Sequence, residues 1–367
     1  MAFMHFQRAI FVLYLDLKFE ILKRERAMGK QNNNALLFTA AGAGAVLAAR
    51  ALIRRVNQYS FRNRVVLITG GSRGLGLVMA RELAREGAHL AICARDESEL
   101  QRAYEELNWR TRVFPVPCDV TDRAQVEEMV RMVVDHYGRI DVLTNNAGVI
   151  EVGPAEVMTL EDYERAMKTH FWGPLYAILA VLPEMRRRRE GRIVNISSIG
   201  GKISVPHLLP YSASKFALVG LSEGLRAELR KDGIVVTTVC PGLMRTGSPR
   251  NATFKGQHRA EYAWFAISDS LPLTSMKAER AARQIIRATK RGDAEVVLSI
   301  QAKLAAVFHG VFPGITSDIL GVVNEFLPEA GGIGTESAKG KESESKIAPS
   351  WLTALSDRAA QENNEMA

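Results

Sequence analysis

Cysteine is scarce. Cys93, Cys118 and Cys240 are the only three in 367 residues, each in or at the end of an apolar run. Their spacing fits neither a zinc site nor a disulfide framework, so they read as buried thiols in a reducing compartment and no metal site is expected. Long runs of one charge are also missing. The net charge of +8 is spread along the chain apart from Arg186 to Arg189, a run between a helix end and a strand that reads as a solvated loop face. No nucleic-acid-binding module is present, and 47% hydrophobic against 24% charged residues excludes wholesale disorder.

Charge is absent altogether from Ala35 to Ala49. Counting on to Ile53, the stretch approaches the ~20 residues that a bilayer core requires. A membrane anchor at 35–53 is the leading reading; a helix packed on the catalytic domain and a cleaved signal peptide are the others, the last weakened by the reduced cysteines. Arg50, Arg54 and Arg55 favour a cytosolic face for the chain beyond them, and the many small residues keep monotopic insertion open. Residues 1–57 are thus an N-terminal extension. Its first part, Met1 to Lys30, fits an amphipathic surface helix or an upstream extension, since Met28 serves equally well as a start. A membrane-associated protein with its catalytic domain facing the cytosol is expected, and a soluble cytoplasmic one is the alternative.

Between Asn63 and about Ile300, short continuous apolar runs alternate with amphipathic helical stretches. The runs are Val65–Ile68, Leu90–Cys93, Val113–Pro117, Val142–Thr144, Ile193–Ile196, Ile234–Val239 and Ala294–Leu298. Such runs suit parallel strands covered on both faces. The expected fold is therefore α/β: a Rossmann-like, doubly wound parallel sheet of about seven strands with helices on both faces, forming one catalytic domain over 58–300. Residues 301–330 form an apolar segment broken by Pro313 and Gly314; for its part around Leu304 to Leu320 core packing is the default, with lining the substrate mouth or touching membrane as the alternatives. Residues 331–367 read as a disordered linker and tail, Gly, Ser, Lys and Glu prevailing from Gly331 to Ser350, while Trp351 to Ala367 has the length for a short terminal helix to which no role is assigned.

The first strand runs into Thr69-Gly70-Gly71-Ser72-Arg73-Gly74-Leu75-Gly76. Glycines there allow a tight turn and close approach of backbone to a pyrophosphate, and the following helix offers its N-terminal amides. A lone glycine motif is weak evidence; this one follows a strand, precedes a helix and is trailed by Arg95 at the end of the second strand. A NAD site more often places an acidic residue at that point. Arg73 and Arg95 put positive charge where a 2′-phosphate would lie, so NADP (NADPH) is favoured over NAD. Asp96, one residue later, reads as a helix N-cap.

Downstream, Ser198 precedes Tyr211 by thirteen residues, and Lys215 follows Tyr211 by one helical turn. A phenol with its ordinary pKa of about 10 is a poor base at neutral pH, and a nearby ammonium favours the phenolate. Positions i and i+4 share a helix face, so Lys215 is expected beside Tyr211. Ser198 then holds a substrate oxygen while Tyr211 exchanges its proton. Ser197 is the competing serine, and strand alternation from Val194 onward makes it a strand-end hydrogen-bonding residue.

In this order the motifs resemble the classical short-chain dehydrogenase/reductase family over about Phe61 to Gly292. The resemblance implies that the turn with Gly70, Ser72, Arg73, Gly74, Leu75 and Gly76 seats the cofactor, and that Asp119 with Val120 contacts the adenine. It implies that Asn145-Asn146-Ala147-Gly148 borders the adenosine ribose and that Pro241, Gly242 and Thr246 flank the nicotinamide. Tyr211 and Lys215 would serve both catalysis and cofactor binding, and family members often pair as homodimers through the tyrosine-bearing helix and its neighbour. One position departs from the pattern: His170, in Thr169-His170-Phe171-Trp172-Gly173, stands where an asparagine usually helps to bind a relay water. Either His170 keeps that relay in altered form or it is a buried structural residue.

The activity implied is NADP-dependent hydride transfer between a carbonyl and a secondary alcohol. Phe254, Tyr262, Trp264 and Phe265, in the segment Leu243 to Ser275, suit a lid over a hydrophobic ketone or alcohol such as a lipid, steroid or retinoid; core packing explains them almost as well. A cofactor-binding sensor or scaffold without turnover is the alternative from another class. An extended-family sugar-nucleotide epimerase fits the glycine spacing less well.

Overall fold

The computed structural model describes residues 58–272, 274–345, 347–350 and 353–366. The candidate anchor at 35–53 and the rest of the N-terminal extension lie outside them. Among the described residues no helix is long and apolar enough to cross a membrane.

Seven strands form one parallel sheet: β1 (Val65–Thr69), β2 (His89–Ala94), β3 (Val113–Pro117), β4 (Val142–Asn145), β5 (Gly191–Ile196), β6 (Ile234–Pro241) and β7 (Glu295–Leu298). Their spatial order is β7-β6-β5-β4-β1-β2-β3. The expected doubly wound α/β fold is thus present, and each apolar run read from the sequence lies within a residue or two of its strand. Burial on both faces explains why the runs are continuous. In β1, Val66 and Ile68 enter one core while Val65 and Leu67 enter the other, the period of two that a pleated strand imposes.

Helices supply the two outer layers. On one face α1 (Gly74–Arg85), α2 (Glu97–Asn108) and α8 (Ala278–Arg291) contribute Leu77, Val78, Leu100, Leu107, Ala281 and Ile285. On the other, α3 (Arg123–Tyr137), α5 (Gly173–Arg188) and α6 (Leu209–Leu229) contribute Val126, Met129, Ile178, Val181 and Leu229. Local chemistry sets the ends. Asp96 caps α2 by accepting from the Glu99 amide, Asp122 caps α3, and Gly138, at φ 78°, closes α3 in the left-handed region that a side chain disfavours. Strand order reverses between β1 and β4, which opens a crevice beyond their carboxyl ends, where ligands of such sheets bind.

Three expectations fail here. The Leu243 to Ser275 aromatics are no lid: Phe254, Tyr262 and Phe265 are buried together edge to face, and Trp264 packs on them from the rim. Strand pairing of Thr253–Phe254 with Glu151–Val152 and Ala338–Lys339 draws Phe254 inward, while α7 (His258–Ser270) carries the other three. The apolar segment after β7 does not pack into the core. It forms α9 (Ile300–Val311) and α10 (Pro313–Asn324), which expose Ile300, Leu304, Val307, Ile315 and Val322. The stretch 331–350, expected to be a disordered linker, instead supplies the Ala338–Lys339 strand, and beyond it the short terminal helix that the sequence allowed forms as α11 (Ala354–Glu362). Backbone pairing and polar contacts order them, and composition does not register either.

Candidate active site

The turn from β1 into α1 seats itself on the end of β4. A side chain at Gly70 would meet the Ala147 Cα at 2.9 Å, and one at Gly76 would meet the Gly70 carbonyl at 2.0 Å, so only bare backbone closes the turn. Thr69 Oγ1 accepts from the Asn146 and Ala147 amides at 3.0 and 3.1 Å. The Asn146 side-chain amide returns to the Thr69 and Gly70 carbonyls at 3.1 and 3.0 Å. The two motifs, about seventy-five residues apart in sequence, therefore form one rigid rim. Thr69 is the residue that motif reading underrates: its hydroxyl is the joint.

Around the rim, Asp119 follows β3, with one carboxylate oxygen accepting from the Thr121 amide and hydroxyl, both at 2.9 Å. Val120 is buried against Gly173. Pro241 and Gly242 close β6, the Gly242 amide facing the Leu298 carbonyl at 3.4 Å, and Thr246 is buried just beyond. The two arginines proposed for a 2′-phosphate differ sharply. Arg73 Nη1 donates to Glu99 at 2.7 Å, and Ser72 also donates to Glu99, at 3.3 Å, so that charge is largely neutralised. Arg95 is exposed and makes no ion pair or hydrogen bond among the described residues.

At the carboxyl end of β5 the catalytic candidates converge. Ser197 is buried and donates to the Lys215 carbonyl at 3.0 Å, so it tethers α6. Ser198 is half-buried, accepts from the Gly200 amide at 3.0 Å, and lies close enough to the Tyr211 phenol to lower its pKa. Gly200 makes this approach feasible, since a Cβ there would lie 3.1 Å from the Tyr211 ring. Lys215, one turn along α6, donates from Nζ to the Ile196 carbonyl at 2.9 Å and stands 5.6 Å from the centre of the Tyr211 ring. Below them a buried polar ladder fixes the register of α6: Asn145 donates to Asn195, and Asn195 to Ser222, each at 2.8 Å.

Titration in this site departs from the simple expectation of a phenol acidified by its neighbouring cation. Burial pushes the Tyr211 hydroxyl up to about 12, with the Ser198 hydrogen bond opposing it, and burial pushes the Lys215 amine down to about 7. The protein's own groups thus hold a protonated phenol beside an amine that is only partly charged at neutral pH. His170 is fully buried. Ser214 donates to the Tyr211 carbonyl at 2.8 Å, so His170 Nδ1, 2.8 Å from the Ser214 oxygen, is the donor, while Nε2 accepts from the Val149 amide at 3.1 Å. Burial, then Lys215, hold the ring well below its usual pKa. With both nitrogens engaged, the side chain has no atom left for a relay water.

Two acids went unremarked in the sequence. Asp269 of α7 is buried with one oxygen on the Met244 amide at 3.2 Å and the other unpartnered, and burial raises it to about 8. Glu365 is buried against Gly74, and burial raises it to about 7. Neither belongs to a motif.

A glycine-walled turn at the sheet's switch point, with a serine, tyrosine and lysine grouped beside it, defines a dinucleotide-dependent oxidoreductase. The short chain dehydrogenase family model matches residues 64–255. The chain is 34% identical over 257 residues to a dehydrogenase/reductase SDR family protein 7-like of Anopheles gambiae, covering 68% of this chain and 79% of the relative. It is 33% identical over 305 residues to dehydrogenase/reductase SDR family member 7B of Bos taurus, covering 80% and 92%. Among solved structures, a short-chain dehydrogenase from Streptomyces avermitilis superposes with a TM-score of 0.60 at 30% identity, over 72% of this chain and 99% of that one. This chain belongs to the classical short-chain dehydrogenase/reductase family and is an NAD(P)-dependent oxidoreductase acting on small molecules.

Lys215 titrates inside the fold, so it leaves a mark on stability. Its folded pKa lies below the unfolded value of 10.5; between pH 7 and 10.5 the unfolded chain binds the extra proton, and stability rises with pH there. Lys215→Met is expected to remove that rise and to stabilise the cofactor-free protein below pH 7 by roughly 1–4 kcal/mol. Denaturant midpoints of both proteins across pH 6 to 10 test this, and parallel curves would contradict it.

Proposed function

We propose that the protein is an NADP-dependent carbonyl reductase that uses Ser198, Tyr211 and Lys215. The observation that carries the reading is the grouping of these side chains at the end of β5, beside the Gly70–Gly76 turn. When bound, the dinucleotide supplies the hydride and accepts it in the reverse direction. Ser198 holds the substrate oxygen by a hydrogen bond and Tyr211 gives that oxygen its proton. A phenol that burial keeps protonated suits donation, which favours reduction. Lys215 fixes α6 to β5 and places its amine beside the phenol, where its charge form governs how readily the phenol is reprotonated. The chain is also 41% identical over 187 residues to a ketoacyl reductase of granaticin synthesis in Streptomyces violaceoruber, which supports carbonyl reduction.

The residues present fit the dinucleotide. Gly70 and Gly76 leave room for backbone to approach a pyrophosphate, Asp119 keeps one carboxylate oxygen for an adenine amino group, and Asn146, Ala147 and Gly148 wall the ribose side. Arg95, unpaired and exposed at the end of β2, is the side chain that favours a 2′-phosphate over a bare ribose; Arg73 would first have to leave Glu99. A hydrophobic substrate no longer draws support from the aromatics of Leu243 to Ser275. It draws support from α9, whose base packs on Gly242 through Ser299 and Ala302 and which exposes apolar side chains such as Leu304 and Val307. The same surface supports membrane apposition, with Leu304 and Val307 each 67% exposed, far from what a helix facing water alone presents. Homodimer formation through α5 and α6 draws on the exposed Leu179 and Phe216.

Three measurements test these readings. Tyr211→Phe is expected to lower NADPH-dependent turnover of hydrophobic ketones by about 10²–10⁴-fold with NADPH affinity nearly unchanged; substantial residual turnover removes the mechanism. Arg95→Asp is expected to weaken NADPH at least about tenfold more than NADH, on the scale of one charge-assisted contact. Equal losses would return the cofactor preference to NAD. A polarity-sensitive dye at Val307→Cys is expected to shift to the blue when phosphatidylcholine/phosphatidylserine vesicles are added to the full chain, and an unmoved spectrum takes α9 away from lipid.

A further inference from the structure

The amino end of α1 receives nothing from its own sequence: its N-cap, Arg73, makes no side-chain bond to it, and no acidic residue stands in its first turn. Its partners come instead from the end of the chain. The Gly74 amide donates to the Asn363 carbonyl at 2.9 Å. The Asn364 side-chain amide spans the Ser72 and Glu99 carbonyls at 2.9 and 3.0 Å. Glu365 fills the space that glycine leaves at position 74, where a Cβ would lie 2.3 Å from its Oε1. A carboxylate beside a helix N-terminus, against bare glycine backbone, has the charge and the place of a phosphate. Three to five residues earlier, Ala360 of α11 packs on Gly247, where a Cβ would lie 2.5 Å away, next to Thr246. The short run from Ala360 to Glu365 therefore touches both the loop after β6 and the glycine turn.

We propose that residues 353–366 form an autoinhibitory strap that competes with the dinucleotide for the Ser72–Gly76 turn. The proposal rests on the reading of that turn as the cofactor's seat. The strap is held by polar contacts that water or a stronger anion can replace: Arg81 with the Asn363 side chain at 2.9 Å and the Glu362 carbonyl at 2.8 Å, Arg102 with Asn364 at 2.8 Å, and Asn251 with Glu365 at 3.1 Å. Its one buried acid is also its costly element. Arg73 and Asn251 favour the Glu365 carboxylate, while burial and the neighbouring Glu99 disfavour it. A dinucleotide phosphate would bring more charge to the same Gly74 amide, so each ligand excludes the other without any change in the sheet.

A chain ending at Ser350 is to be compared with the full chain by titrating NADPH and following its fluorescence. A strap seated nine-tenths of the time weakens apparent affinity about tenfold, so the shortened protein is expected to bind about tenfold more tightly. The double variant Asn364→Ala/Glu365→Ala in the full chain is expected to move the same way by a smaller factor, and it decides the matter should the shortened chain not fold. Hydrogen exchange is the readout independent of affinity: adding NADPH to the full chain should raise exchange across 353–366. Unchanged affinity in the variants together with unchanged exchange overturns the strap while leaving the cofactor's seat intact. No NADPH binding by any form overturns the seat, and the strap with it.

Discussion

A primary amine enclosed in an α/β core is the constraint around which this site is arranged. Lys215 is 4% exposed, and its Nζ donates its hydrogen bond to the last carbonyl of β5. Its own carbonyl accepts from Ser197, the next residue of that chain segment. These two bonds of opposite polarity pin one turn of α6 to one strand end. Tyr211, a turn earlier, is thereby held over Ser198 with no freedom to slide. Burying an amine without a carboxylate partner is unfavourable, which is why burial drives it toward its neutral form. A lysine buried without an acid partner beside a phenol is the arrangement on which the proposed proton transfer draws.

The fixed parts of the site rest on the same economy of backbone. Thr69 joins the glycine turn to the Asn146–Gly148 loop through its hydroxyl, and the Asn145–Asn195–Ser222 ladder carries the alignment from β4 through β5 into α6. Both networks are short, buried and almost wholly satisfied, the one exception being the Asn145 Oδ1. Polar groups in a low-dielectric interior are costly unless paired, so a ladder of this kind tolerates few alternative registers. The reacting groups inherit that rigidity.

What the sequence discloses here is what neighbours in sequence decide. Strands buried on both faces must be continuous apolar runs, and seven of them were legible; Tyr211 and Lys215 meet because helical spacing makes them meet. Ser198 was separable from Ser197 by strand alternation, and Asp96 was legible as a cap. The misreadings all turn on partners far away in the chain. Arg73 looked like a free cation because Glu99 is on the next helix, and the aromatics of α7 looked like a lid because the strand Ala338–Lys339 that draws Phe254 inward lies in a stretch without apolar periodicity. His170 stood open between a relay residue and a buried structural one because Ser214 and the Val149 amide, which occupy its nitrogens, come from two other elements. The tail was read as disordered for the same reason: backbone carbonyls and amide side chains order it, and these carry no hydrophobic signal.

The family match ends at residue 255, and the chain beyond it adds β7 to the central sheet before continuing past it. After β7 the chain first builds α9 and α10, an apolar pair based on Gly242 at the nicotinamide side, and then doubles back along α7 to reach Gly74 at the phosphate side. One continuous extension thus touches both ends of the cleft. In the proposed strap the two contacts are close neighbours in sequence: Ala360, near the end of α11, packs on Gly247, and Asn363 and Glu365, three and five residues further on, meet Gly74. Displacing one contact therefore strains the other, and on that proposal access to the cleft is set by a segment that no motif marks.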